Sequence, residues 1–163
     1  MKLFLSFFAL FCSFMLTNGA ISDNHQNSFG TKKEAKDLLE RAVNLIKVDE
    51  VVGLTMMTVK SGGFIYKDLY PFCLDENGIL VSHPYNLGSS IKEFTDIDGI
   101  EVGKIVMKTA KEGKISQISY KLGRYSLGKS ESPDEYLEKP TIKKSVFYTR
   151  VGNYICMSGY YEN

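Results

Sequence analysis

Apolar residues change their spacing along this chain, and the changes mark its elements. Leu3 to Leu16 is an almost unbroken apolar run of 14 residues, interrupted only by Ser6 and Ser13. From Ala35 the spacing is helical: Ala35, Leu38, Leu39, Ala42, Val43, Leu45 and Ile46 recur every three or four positions. Thr31-Lys32-Lys33-Glu34 just before them is a capping box, in which Thr31 accepts from a first-turn amide and Glu34 reaches back. Asp37 and Arg41 stand at i,i+4 in the favourable order. These signals predict a helix over 31–47. Val51, Val52, Leu54, Met56 and Met57 predict a shorter one over 49–60, ended by Ser61-Gly62-Gly63.

The period then moves toward two. Leu69 to Leu74 and Ile79 to Ser82 read as strands, joined into a hairpin by Asp75-Glu76-Asn77-Gly78. Pro71 has no amide hydrogen to give a ladder, so a bulge or an unpaired edge is expected there. Residues 83–99 read as loop, with turn signals at Asn86, Gly88 and Asp96-Ile97-Asp98-Gly99. Val102, Ile105, Val106, Thr109 and Ala110 predict a third helix with Gly113 at its exit. Ile118, Tyr120 and Leu122 alternate as a strand, and a polar connection rich in Ser, Gly and Pro follows over 123–140. Lys144 to Val151 and Tyr154 to Tyr161 form a last hairpin about Gly152-Asn153. No segment repeats. The order predicts an α+β, PAS-like layout: a long N-terminal helix packed on a five-stranded antiparallel sheet, a short helix, and one helix inserted across the sheet.

Composition narrows the setting. A chain of 163 residues, 44% hydrophobic and 24% charged, suits one folded domain and excludes a disordered chain. Twenty basic against nineteen acidic residues argues against nucleic-acid binding by bulk charge. Lys2, the apolar run and the small residues of Thr17-Asn18-Gly19-Ala20 read as a secretory signal peptide over 1–20. The run is short of the about 20 apolar residues that span a bilayer. Residues 21–30 read as a polar linker, and 31–163 as the domain. Two cysteines remain after the leader, Cys73 and Cys156. An oxidising compartment permits a disulfide, while two buried thiols suit the composition as well, and spacing alone does not supply the geometry. The chain has ten Tyr, ten Phe and no Trp, so Tyr hydroxyls are its most available neutral polar groups for a pocket.

The ordered set of Ala35 to Lys47, Asp68-Leu69-Tyr70-Pro71-Phe72-Cys73-Leu74-Asp75-Glu76-Asn77-Gly78, His83-Pro84, Asp96-Ile97-Asp98-Gly99, Ile118-Ser119-Tyr120-Lys121, Lys144, Val151-Gly152-Asn153-Tyr154 and Ser158-Gly159-Tyr160-Tyr161 resembles the single Cache domain, type 2. The resemblance runs over about 31–161, nearly the whole mature chain. It implies an extracytoplasmic sensor, periplasmic or secreted, with a pocket between a PAS-like sheet and its covering loops. It implies a small organic acid as ligand, of the acetate, propionate, pyruvate or lactate type. It also implies a membrane-bound signalling partner and, from the family's long helix, a homodimer; the first and last strands would be neighbours, which would bring Cys73 near Cys156. Most members sit between two membrane helices; this chain ends at Asn163, directly after the last strand, and so reads as a free-standing exported domain. Leu122 stands where the family commonly has a tryptophan, Phe147 where a tyrosine is usual, and Pro71 where an aliphatic residue is typical. Such a changed lining implies a different ligand, or none.

The candidate ligand-binding residues are Tyr70, His83, Tyr120 and Lys144. Lys144 is the candidate for neutralising a carboxylate, because an uncompensated buried charge costs several kcal/mol. Arg124 and Arg150 compete for that role. Tyr120 matches the family's strand tyrosine, and either offers its hydroxyl to a ligand or fills the core. Tyr70 shares a strand face with Phe72 and reads as core or pocket wall. His83 either donates to a carboxylate or, with Pro84, ends the second strand. Asp96-x-Asp98-Gly99 opens like a calcium loop but lacks the later ligands, so it reads as a turn. One domain histidine and two cysteines lack zinc spacing. No GxSxG, HExxH or Ser-His-Asp set is present, so neither catalytic residues nor a metal or cofactor is expected. Two readings remain: a binding module, or an interaction or structural protein with a degenerate pocket. A cavity with convergent Tyr, Lys or His groups favours the first, a collapsed apolar core the second.

Overall fold

The structure is a computed structural model that describes residues 29–124 and 141–162. The expected signal peptide, the expected linker up to residue 28 and residues 125–140 of the expected polar connection lie outside the described residues. The elements are α1 Lys32–Val48, α2 Glu50–Thr58, β1 Pro71–Leu74, β2 Leu80–Ser82, α3 Val102–Thr109, β3 Ser116–Lys121, β4 Lys143–Val151 and β5 Tyr154–Tyr161. The strands form one antiparallel sheet in the order β2-β1-β5-β4-β3. This is the expected α+β layout.

The capping box forms at α1: Thr31 accepts from the Glu34 amide, and the Glu34 carboxylate accepts from the Thr31 amide at 2.7 Å. Lys67 reaches the same carboxylate at 2.8 Å, and these donors hold Glu34 down to about 2. Asp37 pairs with Lys33 rather than with Arg41. Arg41 instead donates to the Gly63 carbonyl and lies 4.8 Å from the Phe64 ring, because the chain after α2 folds back beside it.

Alternation along the strands divides the core in two. Cys73, Phe147, Val151 and Cys156 face α1 and pack with Leu38, Leu39 and Ile46. Phe72, Leu74, Val146, Tyr148, Ile155 and Met157 face α3 and the loops before it. The candidate site belongs to this second face.

The structure decides three local readings. The β1–β2 irregularity falls between Cys73 and Leu74, not at Pro71. Pro71 pairs only with Ser158 of β5, while β2 first meets β1 at Cys73, so Pro71 stands at the expected unpaired edge on the β2 side. Gly113 does not follow the α3 exit; the helix ends at Thr109 and Gly113, at φ 69°, turns the chain between Lys111 and Lys114. Cys73 and Cys156 face each other across β1 and β5 and form a disulfide, so the question that spacing left open is answered by register.

Gly103 positions the cover of the second face. A Cβ there would sit 1.8 Å from the Ile91 carbonyl oxygen and 2.6 Å from that of Lys92, so the 91–92 backbone rests directly on α3. Gly103→Ala is expected to cost about 2 kcal/mol or more, the scale of overpacking against backbone that cannot yield. A denaturation midpoint within error of wild type would show that the loop yields freely.

Candidate functional site

A cavity of about 300 Å³ lies between the second sheet face and the segment that covers it. Its floor comes from the sheet region: Tyr70 and Phe72, Leu80, Tyr120 and Leu122, Lys144, and Met157. Its cover comes from His83, Asn86, Ser89, Ser90, Ile91 and Phe94, closed by Val102 at the start of α3. All four candidate residues line this one space.

Alternation explains how a lysine reaches it. Lys143 points outward and pairs with Glu162 at 2.8 Å, while Lys144 shares the inner face with Val146 and Tyr148 and is 1% exposed. Gly159 on the neighbouring strand gives the lysine room; a Cβ there would lie 3.1 Å from Lys144 Cε. Lys144 Nζ donates to Tyr70 Oη at 3.0 Å, its one hydrogen-bond partner among the described residues. Two ring centroids stand close, Tyr70 at 4.6 Å and Tyr161 at 5.1 Å. Burial pushes the ammonium from its usual 10.5 down to about 7, opposed by the charge of Asp68.

The charges near Lys144 are already committed. Asp68 accepts from the Gly30 amide at 2.6 Å, and Arg124 Nε lies 3.1 Å from its other oxygen, at ion-pair distance but off a hydrogen-bonding line. The Arg124 guanidinium lies against the rings of Phe29 and Tyr161, 3.8 and 4.7 Å from their centroids. Arg150 lies toward the Lys111 end of β4. Of the three basic residues that competed for the role, Lys144 lines the cavity and the two arginines are not among its described lining residues.

His83 takes the structural role expected of it, at the end of the second strand. Its Nδ1 accepts from the amides of Tyr85 at 3.0 Å and Asn86 at 2.9 Å, which shapes the loop after β2. The ring proton therefore sits on Nε2, and any polar contact with a ligand would come from there. Burial, then the nearby Lys144 charge, lowers His83 from 6.5 to about 3, so it stays neutral. Tyr70 packs edge-on against His83 and Tyr85. Tyr120 stands directly across the sheet from Lys144 and meets Phe94 edge-on, ring centroids 5.6 Å apart.

Asp96-x-Asp98-Gly99 is a turn that anchors the cover. One Asp96 oxygen accepts from the amides of Asp98 and Ile100, the other from Lys121 of β3 at 2.8 Å. These donors, Lys121 first, lower the Asp96 pKa. Sequence reasoning missed Tyr161 and the cover residues Asn86, Ser89, Ser90, Ile91 and Phe94. Tyr161 was reachable, since it shares parity with Met157 on β5; the loop residues have no period to read.

Comparison with known proteins places this geometry. A model of the family described as Single Cache domain 2 matches residues 17–129. The matched span contains Tyr70, His83 and Tyr120 and stops before Lys144. No curated protein matches the chain. A solved structure titled "Periplasmic sensor domain of chemotaxis protein" is 16% identical, with a TM-score of 0.53 over 80% of this chain and 90% of that one. At that identity the likeness speaks for the fold alone.

Proposed function

The chain belongs to the Single Cache domain 2 family, and from that premise we propose that its cavity holds a small organic acid with the carboxylate against Lys144. Domains of this family are extracytoplasmic sensor or binding modules, typically not enzymes, and the protein is periplasmic or secreted. In this reading, ligand occupancy is relayed to a membrane-bound signalling partner, and the homodimer that the resemblance implies belongs to the same proposal.

The observation that carries the ligand is Lys144. A buried ammonium with one hydroxyl partner keeps donor capacity for an anion, and it lines a cavity large enough for one. A carboxylate would restore the charge balance that burial disturbs. A cavity of this size with convergent Lys, Tyr and His groups also favours binding over a degenerate, collapsed core.

A thermal-shift screen of the purified protein tests the reading, with two- to six-carbon carboxylates set against their neutral amides. At 100-fold over its Kd an acid should stabilise by about 2.7 kcal/mol, and the amides should not. Tyr120→Phe should weaken the best acid about fivefold, as expected for one neutral hydrogen bond of about 1 kcal/mol. Equal shifts by acids and amides, or none by either, would overturn the assignment.

A further inference from the structure

The walls of the cavity select among carboxylates. Among the described residues lining it, Lys144 is the one cation and no carboxylate is present. Much of the remaining wall is apolar, with Phe72, Ile91, Phe94, Leu122 and Met157 on opposite sides. Resting on the carboxylate reading above, we propose that the preferred ligand is a monocarboxylate with an apolar chain or ring, larger than a two- or three-carbon acid.

Size comes first. At about 30 Å³ for each water, the cavity's 300 Å³ corresponds to about ten water-sized occupants. Acetate, with four non-hydrogen atoms, would leave more than half of that space to water held against hydrocarbon. A body of about five to eight carbons fills it and gains the contacts that an unfilled wall forgoes.

Charge comes second. An α-amino acid would carry its ammonium into a chamber that already holds Lys144 and offers no carboxylate among its described lining. A dicarboxylate would bury a second anion without a second cation among the described lining residues, because Arg124 is turned to Asp68. The hydroxyls and amide of Ser89, Ser90 and Asn86 suit a neutral polar substituent at most.

Calorimetry on the full-length protein at pH 6 tests this with acetate through octanoate, phenylacetate, leucine and glutarate. Affinity should climb about fourfold per added methylene from acetate to about hexanoate, then level off. Phenylacetate should bind in the hexanoate range, and leucine and glutarate at least a hundredfold more weakly. Leu122→Trp, which narrows the chamber, should cost hexanoate tenfold or more and change acetate less than twofold. Flat affinity along the series, tighter binding of leucine or glutarate, or equal losses of both acids in the Leu122 variant would overturn the inference and leave carboxylate binding standing. Binding of no acid at any length would overturn both. If the variant does not fold, the wild-type series decides alone.

Discussion

Lys144→Met is expected to stabilise the protein and abolish carboxylate binding in a single step. Lys144 is 1% exposed, and in the fold its pKa falls from 10.5 to about 7. Each unit is worth about 1.4 kcal/mol, so keeping the ammonium charged in the folded state costs on the order of several kcal/mol. Asp68 offsets part of this, but its own carboxylate is engaged by Gly30 and Arg124. Methionine has a similar length and no charge, and replacing a buried ion by a well-packed apolar group often gains about 1–4 kcal/mol. The sign follows from proton counting. Between pH 7 and 10.5 the unfolded chain holds a proton that the folded chain has released, so wild-type stability rises with pH across that window. The variant should lose this rise. His83 acts lower down and in the same direction: it falls from 6.5 to about 3, so stability is lost as pH drops from 6.5 toward 3 in both proteins. Urea denaturation at pH 6, 7.5 and 9.5 checks the first half. Calorimetry with hexanoate checks the second, where an anion facing no cation should lose at least a hundredfold in affinity. A variant less stable than wild type at pH 7.5, with an unchanged pH slope, would show that Lys144 is a structural residue and not one held ready for an anion.

The sheet face that carries Lys144 was legible because strands alternate. Val146 and Tyr148 place Lys144 on the apolar face and leave Lys143 outside, and one parity choice settles which of two adjacent lysines is buried. The α1 cap was legible because Thr31 and Glu34 satisfy amides a fixed number of residues away. The choice of Lys33 over Arg41 as partner of Asp37 was not, since the Gly63 carbonyl and Phe64 ring that draw Arg41 away arrive through the fold. The same distinction separates floor from cover in the site. Tyr70, Tyr120 and Lys144 stand on or beside strands and were found by period and resemblance. Ile91 and Phe94 stand in irregular chain whose course is set by Gly103 and by the three amides on Asp96. Such contacts are long-range and leave no local pattern.

Removing the disulfide is expected to produce the largest loss of stability without emptying the site. Cys73 and Cys156 are separated by 83 residues in sequence and join β1 to β5 in the middle of the sheet. Opening a loop of that length returns conformational freedom to the unfolded chain worth about 4.5 kcal/mol on the chain-entropy model. Cys73→Ala combined with Cys156→Ala should therefore lower the urea midpoint sharply and Tm by on the order of 10 °C. Both sulfurs are fully buried, so a mild thiol reductant should reach them only as fast as the sheet opens, and the oxidised protein should resist it under native conditions. The cystine lies against α1, on the opposite face of the sheet from Lys144 and Met157. Alternation on β5 separates the two environments by one residue, Cys156 from Met157. The double variant, assayed at a temperature where it is folded, should thus bind hexanoate within about threefold of wild type, as expected for sites that share no partners. A loss of stability under about 1 kcal/mol would mean that the β1–β5 pairing and the packing on α1 hold the sheet without the bond. A large loss of affinity with the fold intact would mean that the cystine sets the spacing of β1 against β5, and with it the position of Tyr70 beside Lys144.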